Sequence, residues 1–193
     1  MGTTTDYKNE FGNQISVQQA NQLGDYIKVF SENGIPNKKE FYSNNVLRAT
    51  SYIVSEQSEI DDLLSTNPNA SIEFNYVQFG YKIVEWRSYN NGIIVNLTVT
   101  VSNFNNQIIY YRTSEMINNT LTSLRTEKYY YDSSGQERYF FEYNSDGTCF
   151  KIYDSINDDS DIYAWSIGVD SEISFIWTGF EYYLNADPLI PMS

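Results

Sequence analysis

A chain of 193 residues that is 41% hydrophobic and 17% aromatic, with 18 Tyr and 11 Phe, can bury a core and is too aromatic to be disordered. Its net charge of −13 argues against nucleic acid and anionic membranes as partners and favours a basic protein, drawn in by the field. With no His and a single Cys it excludes Ser-His-Asp and Cys-His catalysis, His- or Cys-cluster metal sites and any intrachain disulfide.

Residues 1–15 are polar and are expected to include a frayed end. Ser16 caps a short helix through Leu23, with Gly24 as its stop and Val17, Ala20 and Leu23 on one face. Tyr26 to Phe30, Lys38 to Tyr42 and Val46 to Val54 then read as strands, separated by Ser31-Glu32-Asn33-Gly34 and Ser43-Asn44-Asn45. Ser58 as cap, followed by Glu59, Asp61 and Asp62 and then Leu63 and Leu64, predicts a second helix ended by Asn67-Pro68-Asn69.

From Ser71 the pattern is β. Ile72, Phe74 and Tyr76 alternate with Glu73 and Asn75. Tyr81 to Tyr89, the turn Asn90-Asn91-Gly92 and Ile93 to Val101 form a hairpin, with Val95, Leu97, Val99 and Val101 on one side. Asn103 to Asn106 turns the chain into Gln107 to Thr113, residues 114–119 carry no clear pattern, and Leu121 to Asp132 is the next strand. Lys128 to Asp154 carries the strongest signal: three aromatic-rich strands joined by Asp132-Ser133-Ser134-Gly135 and Asn144-Ser145-Asp146-Gly147. After an acidic loop, Ile162 to Val169, Glu172 to Thr178 and Phe180 to Leu184 read as strands, with Trp165 and Trp177 in or near the core. The expected fold is mostly β: an antiparallel meander of Tyr-rich hairpins, in stacked or curled sheets, with two short helices. One domain over residues 1–193 is expected, with 1–67 and 68–193 as its candidate lobes.

The charge is uneven. Of 25 acidic and 12 basic residues, 12 acidic but only two basic (Arg138 and Lys151) lie in residues 132–193, a balance of −10. The loop Asn157, Asp158, Asp159, Ser160, Asp161 has the alternate spacing of a calcium loop. Ile162 and Gly168 stand where an EF-hand needs Gly and Glu, so a solvated loop is expected and no metal is assigned. Cys149 reads as a buried small hydrophobe. Glu73, Glu85, Glu137 and Glu142 fall in strands, but nothing in the sequence joins two of them into a catalytic pair. No phosphate-cradling loop, dinucleotide fingerprint or nucleophile elbow is present, so neither an enzyme nor a cofactor is expected. No window reaches 18 apolar residues and the first residues lack the pattern of a signal peptide. A cytoplasmic protein is therefore expected, unless a leader has been removed.

Two stretches match each other. Phe30 to Gly34 through Tyr42 to Tyr52 parallels Tyr131 to Gly135 through Tyr143 to Tyr153: a Gly turn, Tyr eight residues later, a second turn, then a strand closing on Tyr. Over residues 29–54 and 128–154 this spacing resembles the variant MORN and YD-type hairpin repeats of bacterial proteins. Asn45 stands where the second turn of the first copy would carry Gly. That family includes antitoxin components, so the resemblance implies an immunity-like inhibitor of a toxin. Together with the acidic balance, this makes a non-catalytic inhibitor of a basic partner the expected function. Tyr153, Asp154, Asp158, Asp159, Asp161 and Tyr163 are its candidate contact residues. The alternative is a surface or phage β-module, structural or carbohydrate-binding, with Tyr and Trp rings able to stack on sugars.

Overall fold

The computed structural model describes residues 2–156, 161–170 and 172–191. The elements run β1 (Thr3–Lys8), β2 (Gln14–Ile15), α1 (Val17–Leu23), β3 (Tyr26–Glu32), β4 (Ile35–Ser43), β5 (Val46–Val54), α2 (Gln57–Thr66), β6 (Ser71–Gln78), β7 (Tyr81–Asn90) and β8 (Ile93–Ser102). They continue with β9 (Ile108–Ile117), β10 (Thr120–Tyr131), β11 (Glu137–Tyr143), β12 (Cys149–Asp154) and β13 (Ile162–Tyr163), then two 3-10 turns, Ala164–Ser166 and Glu181–Tyr183. The strands form one ladder in the order β13-β12-β11-β10-β9-β8-β7-β6-β5-β4-β3-β1-β2, so the expected β meander with two short helices is what the chain builds. Hairpins make neighbouring strands antiparallel. β5 and β6 are parallel, with Ser51 opposite Ser71 and Val54 opposite Phe74, because α2 crosses between them.

The turns fall into two chemical types. Among the described residues five connections have two residues at positive φ: Asn33-Gly34, Asn44-Asn45, Phe79-Gly80, Asn91-Gly92 and Asn118-Asn119. That geometry matches the right-handed twist of the flanking strands. The second type begins on Asn or Asp and holds its fourth residue at positive φ. In Asp132–Gly135, Gly135 N–H donates to the Asp132 carbonyl at 3.0 Å and Asp132 N–H to the Gln136 carbonyl at 2.9 Å. Asp132 Oδ1 accepts from the backbone N–H groups of Ser134 and Gln136. Asn144–Gly147 repeats the backbone pattern, and each of these turns is accompanied by a register shift in its hairpin. The matching stretches at 30–52 and 131–153 are therefore both three-stranded meanders, β3–β5 and β10–β12, but they use different turn types.

The chain divides into two compact units. One comprises Met1–Asn75 with Trp86–Ile94, the other Tyr76–Glu85 with Val95–Ser193. In the first, α2 closes over Val54, Ala70, Ile72 and Tyr89 through Ile60. Its N-terminus is set by Glu59, whose carboxylate accepts from the Ser55 and Glu56 N–H groups at 2.9 Å. Glu56 is the cap and Ser58 lies inside the helix, not at the expected cap position. In α1 the Ser16 hydroxyl accepts from Gln19 N–H and the Gln19 side chain accepts from Ser16 N–H, a reciprocal cap. Only Ala20 of its expected apolar face is buried; Val17 and Leu23 are exposed. At 3.6 residues per turn those two lie about 120° apart, and two turns of helix present too narrow a contact for both.

The polar start of the chain is not frayed. β1 pairs along its length with β3, Thr3 opposite Glu32 through Lys8 opposite Ile27. In the second unit, β8–β10 pack around Ile83, Val101 and Tyr110. A further cluster, built on Phe141, Ile152, Phe175 and Ala186, is covered by the C-terminal segment. That segment departs from expectation. After the two residues of β13 it turns through Ala164–Ser166, and residues 172–178 form no strand. Alternating apolar side chains do face the cluster, including Ile162, Ala164, Ile167, Ile173, Phe175 and Trp177, but they do so from irregular backbone.

Candidate functional site

The described members of the predicted contact set, Tyr153, Asp154, Asp161 and Tyr163, lie at one edge of the second unit. The Asn144–Gly147 turn sets the β11–β12 register, bringing Tyr139 opposite Asp154 and Glu142 opposite Lys151. Asp154 is buried, and its Oδ2 accepts from Arg138 Nη2 at 2.9 Å while Oδ1 accepts from the Ile156 N–H. Its carboxylate therefore holds the end of the hairpin. Tyr153 is half-buried on β12. Asp158 and Asp159 lie outside the described residues, as does the Asn157 position of the calcium-like loop. Among the described residues no group of three carboxylate or thiol side chains is arranged to hold a metal ion.

Asp161 and Tyr163 face solvent. Lys151 Nζ lies 3.1 Å from Glu142 and 3.6 Å from Asp161, and those two carboxylates hold the ammonium above its usual range. Both basic residues of the acidic segment are thus engaged by carboxylates, which leaves the surface field negative. Tyr163 is 41% exposed and its ring stacks near Trp165, centroids 6.2 Å apart at 26°. Trp165 is 77% exposed, contrary to its expected place in or near the core. Ile162 and Ala164 face the cluster, so the same alternation puts Trp165 on the outward side with Tyr163. Trp177 does pack on the buried cluster. The exposed aromatic pair beside Asp161 joins the predicted residues, and the sequence signal for it was the Tyr-x-Trp spacing after an acidic run.

The strand carboxylates serve other ends. Glu73 is buried in the first unit, where Lys39 Nζ reaches Oε2 at 2.5 Å and Trp86 Nε1 reaches it at 3.2 Å, while Asn75 donates to Oε1. Burial opposes its charge, but Lys39 and the amide and indole donors outweigh burial and hold the carboxyl below its usual range. Replacing Glu73 with Ala is expected to cost about 1–3 kcal/mol, because three donors lose a shared acceptor. A chemical denaturation midpoint would measure it, and an unchanged midpoint would mean that water replaces the carboxylate fully. Glu142 pairs with Lys151, and Glu85 accepts from the Tyr76 hydroxyl. Glu137 is exposed on β11, with its carboxyl raised by partial burial. Cys149 is buried, and burial pushes its thiol up to about 12, far from the range of a nucleophile.

No family model, curated protein or solved structure matches the chain. Among the described residues no helix is long and apolar enough to cross a membrane.

Proposed function

We propose that this chain is a non-catalytic binding protein that inhibits a basic protein partner, in the manner of an immunity protein or antitoxin. The observation that carries the reading is Trp165, an almost fully exposed indole paired with Tyr163 beside Asp161, in a segment with a balance of −10. An indole left in water costs solvation and gains nothing for the fold. Trp and Tyr are the residues that dominate protein contacts, and opposite charge speeds the encounter. The hairpin-repeat resemblance points the same way.

The test is co-expression with the product of the neighbouring gene. A basic protein retained in a salt-sensitive complex is the expected result. Trp165→Ala should weaken that complex roughly 30-fold, the size of a contact worth about 2 kcal/mol. Reversing Asp158, Asp159 and Asp161 to Lys should slow association about tenfold at low salt with little effect on dissociation. An on-rate indifferent to those reversals would remove the acidic surface from the argument.

A glycan-binding module is the second reading. It is favoured by a cleft of about 210 Å³ in the first unit, lined by Phe41, Trp86, Ser51, Ser71 and Ser88 among others. Aromatic side chains beside serine hydroxyls suit a sugar ring. Glycan-array signal lost in Trp86→Ala, with no protein complex, would move the function to that cleft.

A further inference from the structure

Phe79 is out of place as a turn residue. Of the five two-residue turns, four begin with Asn, at φ 51° or 52°, and the fifth begins with Phe79 at φ 49°. The left-handed region costs a side chain with Cβ roughly 1–2 kcal/mol, which Asn offsets by local hydrogen bonding and Phe does not. Phe79 recovers nothing by burial, since it is 81% exposed.

The neighbouring turn repeats the pattern. Phe104, between Asn103 and Asn105, is 74% exposed. Its ring lies against the Gly80 backbone so closely that a Cβ there would sit 2.6 Å from Cε1, and its centroid is 5.5 Å from that of Tyr81. Gly80, which follows Phe79 in the chain, thus seats the Phe104 ring against the same turn. Val77 is exposed next to them, and the surrounding turn residues Gln78, Asn103, Asn105, Asn106 and Gln107 carry no charge. An apolar aromatic centre with a neutral polar rim is the anatomy of a protein contact.

The ladder also fixes where this tip lies. Alternate connections of a meander fall at the same end. The turns 79–80, 103–106 and 132–135 therefore share an end of the second unit with Asp154, the end of β12, and Ile162, the start of β13. Four strand spacings separate the β8–β9 turn at 103–106 from the β12–β13 strand ends, roughly 20 Å at the ordinary spacing. A standard interface of about 800 Å² per partner spans that distance. A lipid surface fits poorly, because a molecule of charge −13 with no cation in these turns is repelled by anionic headgroups. A second copy would bring −13 against −13.

We propose that Phe79 and Phe104 form a hydrophobic plug that enters an apolar pocket on the same basic protein that takes the Asp161–Trp165 surface. This rests on the inhibitor reading, and site-specific photocrosslinking in the native host separates the two. Benzoylphenylalanine is placed singly at positions 79, 104 and 163, and at 117 on the opposite end as control. The expected result is one adduct of the same mass from 79, 104 and 163, none from 117, and at least a tenfold lower yield from 104 when Phe79→Asn is added. An adduct from 163 alone overturns the plug and leaves the inhibitor reading standing. Adducts from 79 and 104 without 163 overturn the shared partner. An adduct of twice the chain mass, or one with lipid, overturns the plug in favour of a second copy or a membrane. No adduct at any position overturns both readings. Phe79→Asn should also raise the melting temperature by about 2–4 °C through relief of the turn. A lower melting temperature would show that Phe79 serves the fold, and would overturn the proposal.

Discussion

Replacing Lys128 with methionine is expected to lower the unfolding free energy by about 2–5 kcal/mol, the cost of leaving two carbonyl acceptors without their buried donor. Lys128 is fully buried on β10. Its ammonium donates to the Tyr182 and Asn185 carbonyls, both at 2.7 Å, and stands 3.7 Å over the Tyr182 ring. Methionine matches its length and apolar stem, so little volume is lost. What is lost is donors, and the acceptors are backbone groups that no companion mutation can remove. Those carbonyls belong to the 3-10 turn and the residues after it, a segment with few ladder bonds of its own. It meets the ladder through the Thr148–Asn185 bridge and the Ala186 N–H bond to the Gly147 carbonyl. Thermal unfolding should fall by roughly 5–15 °C for a chain of this size. Amide exchange should quicken first around residues 181–186. An unfolding midpoint equal to wild type would show that the two carbonyls find water and that Lys128 is not the clamp.

The same residue predicts a pH dependence. Burial pushes the Lys128 ammonium down to about 7, whereas in the unfolded chain it titrates near 10.4. A depressed folded value means that the stability is fully present above the unfolded value and is lost as pH falls toward 7. Between pH 7 and 8, stability should rise by up to about 1.4 kcal/mol per pH unit, and Lys128→Met should flatten that rise.

Local chemistry made the hairpins legible and long-range pairing hid the rest. Asn-Gly and Asp-x-x-Gly demand positive φ at fixed places, so the turns at 91–92, 132–135 and 144–147 followed from their own residues. Phe79-Gly80 carries no such mark, because no turn rule favours Phe there, and for that reason it is informative. β1 escaped notice because Thr3 to Lys8 shows no apolar alternation; its partner β3 supplies the order. Residues 162–178 misled in the opposite sense. Their alternation is real, but it meets the aromatic cluster from irregular backbone, and alternation does not say whether a ladder partner exists. In the candidate site, the exposure of Asp161 and Tyr163 agrees with a contact role. The inward turn of Asp154 depends on Arg138 across a hairpin, and the outward side of Trp165 on the phase of the alternation that turns Ile162 and Ala164 to the cluster, which the residue pattern alone does not set.

Raising the pH past 10 is expected to unfold the protein abruptly, within about one to three pH units. Tyr110, Tyr143, Tyr182 and Tyr183 are all raised above the ordinary phenol range, chiefly by burial. Three of them are donors inside the C-terminal layer: Tyr143 to the Tyr183 carbonyl, Tyr182 to Leu189 and Tyr183 to Tyr129. A phenolate has no hydrogen to give, so ionisation would set a charge against a carbonyl. A raised folded value means that the stability is fully present below pH 10 and is lost as pH rises through the folded values. Four such groups give a slope of about 5 kcal/mol per pH unit, against a total stability of about 5–15 kcal/mol. Tyrosinate absorbance and far-ultraviolet dichroism followed together would check it. The four buried phenols should ionise together, as the β signal disappears. Tyr143→Phe should make that step shallower, since it removes one proton from the difference while keeping the ring in the core. A single smooth titration with the β signal intact would show that solvent reaches these rings. The C-terminal layer would then be an open flap, and the Tyr163–Trp165 surface would lose the rigid support that a preorganised contact requires.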